Sequence, residues 1–242
     1  MSLGRAFSLT YLGHAAFRLT AGSGKVVLID PWVMNNPACP DALKSPEKVD
    51  LMLITHGHFD HIGDSVELAR RHQPDIVAVY ETCVWLGSRG VEKTHPMNKG
   101  GTQTAGGLAV TMVSADHSCG ITDKDDRGRE VIVYGGEPCG YVVTLEDGFR
   151  IYHAGDTNVF GDMTIIGELY RPDLALLPIG GLYTMSPKEA AYAIRLLGVK
   201  KVVPMHYGTF PALSGTPEGL HEVTRDIKNL EILPIKPGET LR

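Results

Sequence analysis

The sequence predicts an α/β chain of two stacked β-sheets with helices on their outer faces. Short β-rich runs alternate with helical segments along the chain. Several of these runs are almost continuously apolar, as strands are when both faces of a sheet are covered. The two halves also share a pattern: a strand ending in Asp (VVLID, FRIYHAGD), followed later by Asp-Leu and an apolar strand (VDLMLIT, PDLALLPI).

Taken in order, residues 7–11 and 15–20 read as paired strands joined through Gly13-His14, and AGSGK at 21–25 reads as a hairpin turn. VVLID (26–30) is a buried strand stopped by Pro31, and the proline-rich stretch 34–48 is an irregular surface loop. VDLMLIT (49–55) is an interior strand. Residues 63–72 follow as a helix capped by Asp64 or Ser65, with Val66, Leu68 and Ala69 for its inner face. IVAVY (76–80) is a strand and 82–90 a short helix. LAVTMVSA (108–115), GYVVTLE (140–146) and FRIYHAGD (149–156) are the most β-like runs. The polar, glycine-punctuated segment 118–130 reads as a solvated loop, or as a flap over a site. A helix near 162–169, a strand at 173–179, a helix from Ser186 to Leu197, a strand at 201–205, a helix over 217–228 and a strand at 231–235 complete the pattern. Ser186-Pro187 with Glu189 is a capping-box signal. No linker or low-complexity tract divides the chain, which predicts one domain over residues 1–242.

Composition narrows the function. Of the 242 residues, 43 % are hydrophobic and 21 % charged, which argues against a disordered chain. Lys plus Arg number 23 against 28 Asp plus Glu, a net charge of −5, so binding to nucleic acid through counterion release is not expected. No apolar run is long enough to span a bilayer. The stretch MSLGRAFSLTYLGHAAFRL lacks the apolar core of a secretory signal. Cys39, Cys83, Cys119 and Cys139 form no C-x-x-C pair and read as reduced thiols, consistent with a cytoplasmic protein.

The segment Thr55-His56-Gly57-His58-Phe59-Asp60-His61 directly follows an apolar strand and precedes a helix. Imidazoles and a carboxylate crowded in this way repel one another when protonated; a divalent metal gives them a reason to cluster. In an extended loop His56 and His58 point the same way, while Asp60 and His61 turn toward a second position. One loop cannot complete two coordination spheres. His117, Asp156 and His206 each follow an apolar strand and are the candidates to finish them. The inventory is five imidazoles and two carboxylates, enough for two metals with room for water. N and O donors suit zinc first among several ions; Mn2+, Fe2+ and Ni2+ are also compatible.

The order H-x-H-x-D-H, then His, Asp and His, resembles the metallo-β-lactamase superfamily over nearly the whole chain. GHAAF (13–17), HAGDT (153–157) and HYGTFP (206–211) are similar to the small metal-dependent hydrolases close to ascorbate-6-phosphate lactonase. The resemblance implies a four-layer αββα sandwich of two mixed sheets with the site at one edge. Carried over by position, it implies that His56, His58 and His117 hold one metal. Asp60, His61 and His206 would hold the other, Asp156 would bridge them, and a bridging water or hydroxide would be the nucleophile. It also suggests that His14 lies near the metals and is compatible with a homo-oligomer. Asp30 can orient a metal-bound imidazole, and Tyr207 and Thr209 are candidate substrate contacts. His153 reads as a packed histidine, and His72, His95 and His221 as surface residues.

Close relatives are excluded by what the chain lacks. A di-iron oxygen reductase carries Glu where His58 stands, and glyoxalase II adds a helical domain. The tRNA 3′-processing nuclease holds RNA with a long basic arm, and a secreted β-lactamase has a signal peptide. The expected function is metal-dependent hydrolysis of a small anionic ester or lactone, with Asp60 or Asp156 relaying the proton. The alternatives are a phosphodiesterase acting on a nucleotide, a nucleic-acid end or a lipid head group, and a non-catalytic metal-binding protein.

Overall fold

The computed structural model describes residues 3–242. Its first half contains strands β1 (Ser8–Gly13), β2 (Ala16–Thr20), β3 (Val26–Ile29) and β4 (Leu51–Leu53), helices α1 (Phe59–Ile62) and α2 (Ser65–His72), strand β5 (Asp75–Val79), helix α3 (Tyr80–Ser88) and strand β6 (Thr94–Met97). Strands β7 (Thr102–Ala105), β8 (Leu108–Ser114), β9 (Gly120–Lys124), β10 (Glu130–Tyr134), β11 (Cys139–Thr144) and β12 (Arg150–His153) follow. The remainder is α4 (Met163–Tyr170), β13 (Leu174–Pro178), α5 (Pro187–Leu197), β14 (Lys201–Met205), α6 (Pro217–Val223), β15 (Glu231–Ile232) and β16 (Thr240–Leu241).

Two mixed seven-stranded sheets result, in the orders β16-β1-β2-β3-β4-β5-β6 and β15-β14-β13-β12-β11-β8-β7. In each, antiparallel strands lead into a parallel run: β3 to β6 in the first sheet, β12 to β15 in the second. The period-2 alternation of strands explains why the central runs are apolar throughout. Leu51 and Leu53 of β4 face the core between the sheets, where Leu174 and Leu176 of β13 meet them from the other side. Met52 and Ile54 instead pack under Leu68 of α2 and Leu86 of α3. Ala175 and Leu177 pack under Met163 of α4, Ile194 of α5 and Leu220 of α6. The layers are therefore helix, sheet, sheet, helix, as the αββα expectation required.

Several local expectations are corrected. Segment 118–130 is no open loop: most of it lies in the antiparallel hairpin β9–β10, in which Ile121 pairs with Val133. The last helix stops at Val223 instead of 228, where Thr224 Oγ1 turns back to the Leu220 carbonyl. The strand read at 231–235 keeps only Glu231–Ile232 in the ladder, because Pro234 has no amide to offer. Asp64 does occupy the N-cap of α2, but its carboxylate accepts from Val33 N (2.6 Å) and Met34 N (2.7 Å) rather than from the helix. It thereby ties down the loop that follows β3.

Candidate metal centre

The parallel strands of both sheets end at one edge of the sandwich, and the polar residues gather there. His56 and His58 leave the end of β4, and the short helix α1 presents Asp60 and His61. His117 follows β8, Asp156 follows β12 and His206 follows β14, while His14 sits in the β1–β2 turn. The two sheets are joined at this edge. His206 N donates to the His14 carbonyl (2.7 Å), and Cys139 N donates to the Thr55 carbonyl (3.0 Å).

The ligand-capable atoms fall into groups, each within 4.8 Å: His56, His58 and His117; His14, Asp60, His61 and His206; and His56, His61 and Asp156. Asp156 Oδ2 lies among all of them, 2.9 Å from His206 Nε2, 3.2 Å from His61 Nε2, 3.7 Å from His117 Nε2 and 3.9 Å from His56 Nε2. His14, for which the spacing offered no signal, lies inside the second group, with its Nε2 2.8 Å from Asp60 Oδ2.

These buried atoms do not satisfy one another. Among the described residues, His14 Nδ1, His206 Nδ1 and Asp156 Oδ1 have no hydrogen-bond partner, and His61 Nε2 and His206 Nε2 lie near Asp156 Oδ2 without forming a well-directed hydrogen bond. Buried polar atoms normally find one, so under-satisfied N and O donors on residues that also bring ligand atoms within 4.8 Å of one another fit divalent cations.

Asp30 lies beneath this cluster and is fully buried. Its carboxylate accepts from Thr55 N (2.8 Å) and Thr55 Oγ1 (2.8 Å), and Oδ2 lies 2.8 Å from His61 Nδ1. That contact aims His61 Nε2 into the cluster. The backbone is strained at three of these positions: His14 (φ 61°), Asp30 (φ 49°) and His206 (φ 55°) are left-handed non-glycine residues. Each costs about 1–3 kcal/mol and persists only where its surroundings enforce it.

Gly180, at the end of β13, abuts the His206 carbonyl so closely that a Cβ there would collide with it. Gly180→Ala is therefore expected to displace His206 and lower metal content more than global stability. Elemental analysis beside a thermal melt reads both.

Burial pushes His56 far below the usual imidazole range, helped by His61, and takes His14 down to about 4. Burial also works against a charge on His206, but the Asp156 and Asp60 carboxylates outweigh it and hold the residue up at about 9. Burial is likewise overcome at His61, which Asp156 and Asp30 hold well above its ordinary value. Asp156 is depressed well below the carboxylate range; burial opposes this, but His206 and His61 prevail. A raised imidazole contributes stability that is complete below the ordinary value of 6.5 and is lost as pH rises through its folded value. The His206 contribution to the metal-free protein should thus fade between about 6.5 and about 9. Metal uptake, which displaces those protons, should strengthen over the same interval. Melts in chelator, together with proton release on adding Zn2+, test both directions; no proton release at pH 7 would refute the assignment.

A cavity of about 490 Å³ opens onto the cluster. His14, His58, Asp60, His117, Asp156 and His206 form its floor. Phe59, Tyr183, Phe210, Ala212 and Leu213 form much of the wall, with Ser118 and Thr122 from the hairpin segment. Gly57 lets Ile121 of the hairpin pack against the backbone between His56 and His58, where a side chain would collide. Tyr207 and Thr209, expected as substrate contacts, line an adjoining cavity with Tyr11, Pro217 and His14 of the cluster. The left-handed turns at His206 and Gly208 (φ 68°) carry the chain away from the cluster. His153 is buried, with Nε2 3.0 Å from the Ala15 carbonyl, as a packed histidine should be. Of the three histidines read as surface residues, His221 is exposed, whereas His72 and His95 are partly buried.

An αββα sandwich with a histidine- and aspartate-rich cluster at the shared sheet edge defines the metallo-β-lactamase-like class. Residues 25–207 match the family described as Beta-lactamase superfamily domain. The chain belongs to that superfamily. It is 53 % identical over 236 residues to a UPF0173 metal-dependent hydrolase of Koribacter versatilis, covering 98 % of each chain. It is 47 % identical to another from Methanopyrus kandleri, over 96 % of this chain and 98 % of that one. Among solved structures, a metallo hydrolase from Ignicoccus hospitalis superposes with a TM-score of 0.83 at 38 % identity, covering 97 % of both chains.

Proposed function

We propose that the chain hydrolyses a small ester or lactone at a dinuclear metal site, zinc being the ion its donors suit first, and that residues 1–242 act as one hydrolase domain. The chain is a metal-dependent hydrolase. The observation that carries the dinuclear reading is Asp156 Oδ2, which lies within 3.9 Å of imidazoles from both ligand groups. His56, His58 and His117 would hold one ion, and Asp60, His61 and His206 the other, with Asp156 between them. When bound, such ions supply an activated water and polarise the scissile carbonyl.

The protein's own groups do the rest. Asp30 fixes the His61 ring, and His14 Nε2 pairs with Asp60 Oδ2 so that this carboxylate faces the cavity in one orientation. Asp60 is the more open carboxylate, with 15 % of its side chain exposed against 3 % for Asp156. It is therefore placed to take the proton released on attack and return it to the leaving oxygen. The cavity wall excludes bulk water from one side of the reacting group. No helix among the described residues is long and apolar enough to cross a membrane. The four cysteines are free and buried, which supports a reducing, cytoplasmic setting.

The test is turnover of a panel of p-nitrophenyl esters and lactones, run beside bis-p-nitrophenyl phosphate on protein of known metal content. Ester or lactone cleavage that disappears on chelation and returns with two ions per chain is expected. Turnover of the phosphodiester alone would replace this reading with the phosphodiesterase one. Chelation should also lower the melting temperature, because ions bound only by the folded state favour it by mass action.

A further inference from the structure

The cavity over the metal cluster has a chemical character that the ligands do not dictate. Among the described residues, no Lys or Arg lines it. A carboxylate or phosphate on the part of a substrate remote from the metals would find no cationic side chain there, and burying an unpaired charge is costly.

What the wall offers instead is aromatic surface on a rigid support. Trp32, 5 % exposed, lies beneath two more open rings. Phe210 stacks on it, with centroids 6.2 Å apart and planes at 27°, and Phe59 meets it edge-on at 5.8 Å and 84°. Phe210 is also in edge contact with His14 at 5.8 Å, so the aromatic wall runs directly into the ligand cluster. Phe59 is 57 % exposed, Phe210 36 % and Tyr183 64 %. Large apolar side chains exposed together at the mouth of a cavity mark a ligand surface more often than chance exposure does.

We infer that the substrate carries an uncharged apolar group, aromatic or aliphatic, which packs on Phe59 and Phe210, the rings that Trp32 backs, while its ester or lactone carbonyl meets the metals. The inference rests on the hydrolase reading of the site and replaces the anionic substrate expected from the sequence.

The test separates the tail from the chemistry. Metal-loaded protein is titrated calorimetrically with acetohydroxamate and hexanohydroxamate, which share a metal-seeking head and differ in tail. Adipic monohydroxamate, whose longer tail ends in a carboxylate, is the charged control. Burial gains about fourfold in affinity per methylene, so hexanohydroxamate should bind at least tenfold tighter than acetohydroxamate. The carboxylate-ended tail should show no such gain. In Phe210→Ala and in Phe59→Ala, both at exposed rings, the hexano-to-aceto ratio should fall severalfold. Equal binding of the two alkyl tails, a preference for the carboxylate tail, or an unchanged ratio in both variants overturns the inference. p-Nitrophenyl acetate and hexanoate read the same ratio in kcat/KM. Tail-dependent binding without ester cleavage would sink the ester-or-lactone reading and keep the apolar wall. Cleavage with no tail dependence would do the reverse.

Discussion

Asp156→Ala is expected to abolish activity and to leave the protein unable to retain either ion through mild chelation. The carboxylate is 2 % exposed and lies among His56, His61, His117 and His206, so no neighbouring side chain can take its place. Loss of a supporting residue typically costs about 10–100-fold in metal affinity; loss of a group that the proposed site shares between two ions should exceed that. With free metal about a thousandfold above its Kd, binding contributes about 4 kcal/mol of stability. The variant should therefore melt like chelated wild-type protein whether or not metal is supplied. Metal stoichiometry after a graded chelator challenge, with melts at each step, decides it. If Asp30→Ala sheds metal before Asp156→Ala does, the two roles have been exchanged.

Asp30→Ala should have the largest effect on the fold itself. It removes the acceptor for Thr55 N and His61 Nδ1, and one of the two partners of Thr55 Oγ1, whose other is His56 Nδ1 at 3.0 Å, in a fully buried site. Each buried donor left without a partner costs about 1–3 kcal/mol. The variant should be destabilised by about 3 kcal/mol or more in urea melts run with chelator present, where metal cannot contribute. Asp30→Asn keeps an acceptor and tolerates the left-handed backbone, so it should recover a large part of the loss. Equal midpoints for Asp30→Ala and wild type under chelation would confine Asp30 to orienting His61.

How far the molecule was legible depended on how local each signal was. The strand carrying Leu51 and Leu53 announced itself as an unbroken apolar run, and the histidines at its end were conspicuous because nothing apolar accounts for them. His117, Asp156 and His206 could be read for the same reason: each interrupts an apolar run at a strand end. Strands β6 (THPM) and β7 (TQTA) were silent, since polar edge strands alternate over too few residues to show a period. The hairpin β9–β10 was hidden by its charges; Ile132 and Tyr134 face solvent, so it lacks the inward pattern of a core strand. The aromatic wall was invisible because Trp32 and Phe210 come from separate loops and Phe59 from the start of α1, and the three meet only in the folded chain. Tyr207 was read as a substrate contact from its adjacency to His206; past that left-handed residue it borders the adjoining cavity, which His14 also lines.

The bond from His206 N to the His14 carbonyl has a consequence for how the centre comes into being. The cluster is completed by contacts between the two ends of the ligand order, with His14 emerging first during synthesis and His206 last. At roughly 5–20 residues per second, the H-x-H-x-D-H motif is outside the ribosome on the order of ten seconds before its final partner. In that interval it is an incomplete chelator made of imidazole and carboxylate, and such sites follow intrinsic affinity, which favours copper over zinc. Selectivity that depends on the finished geometry begins only when the second sheet closes over the first. On the proposed site, the ion a newly made molecule receives would thus depend on what is free during translation as well as on the shape of the finished site.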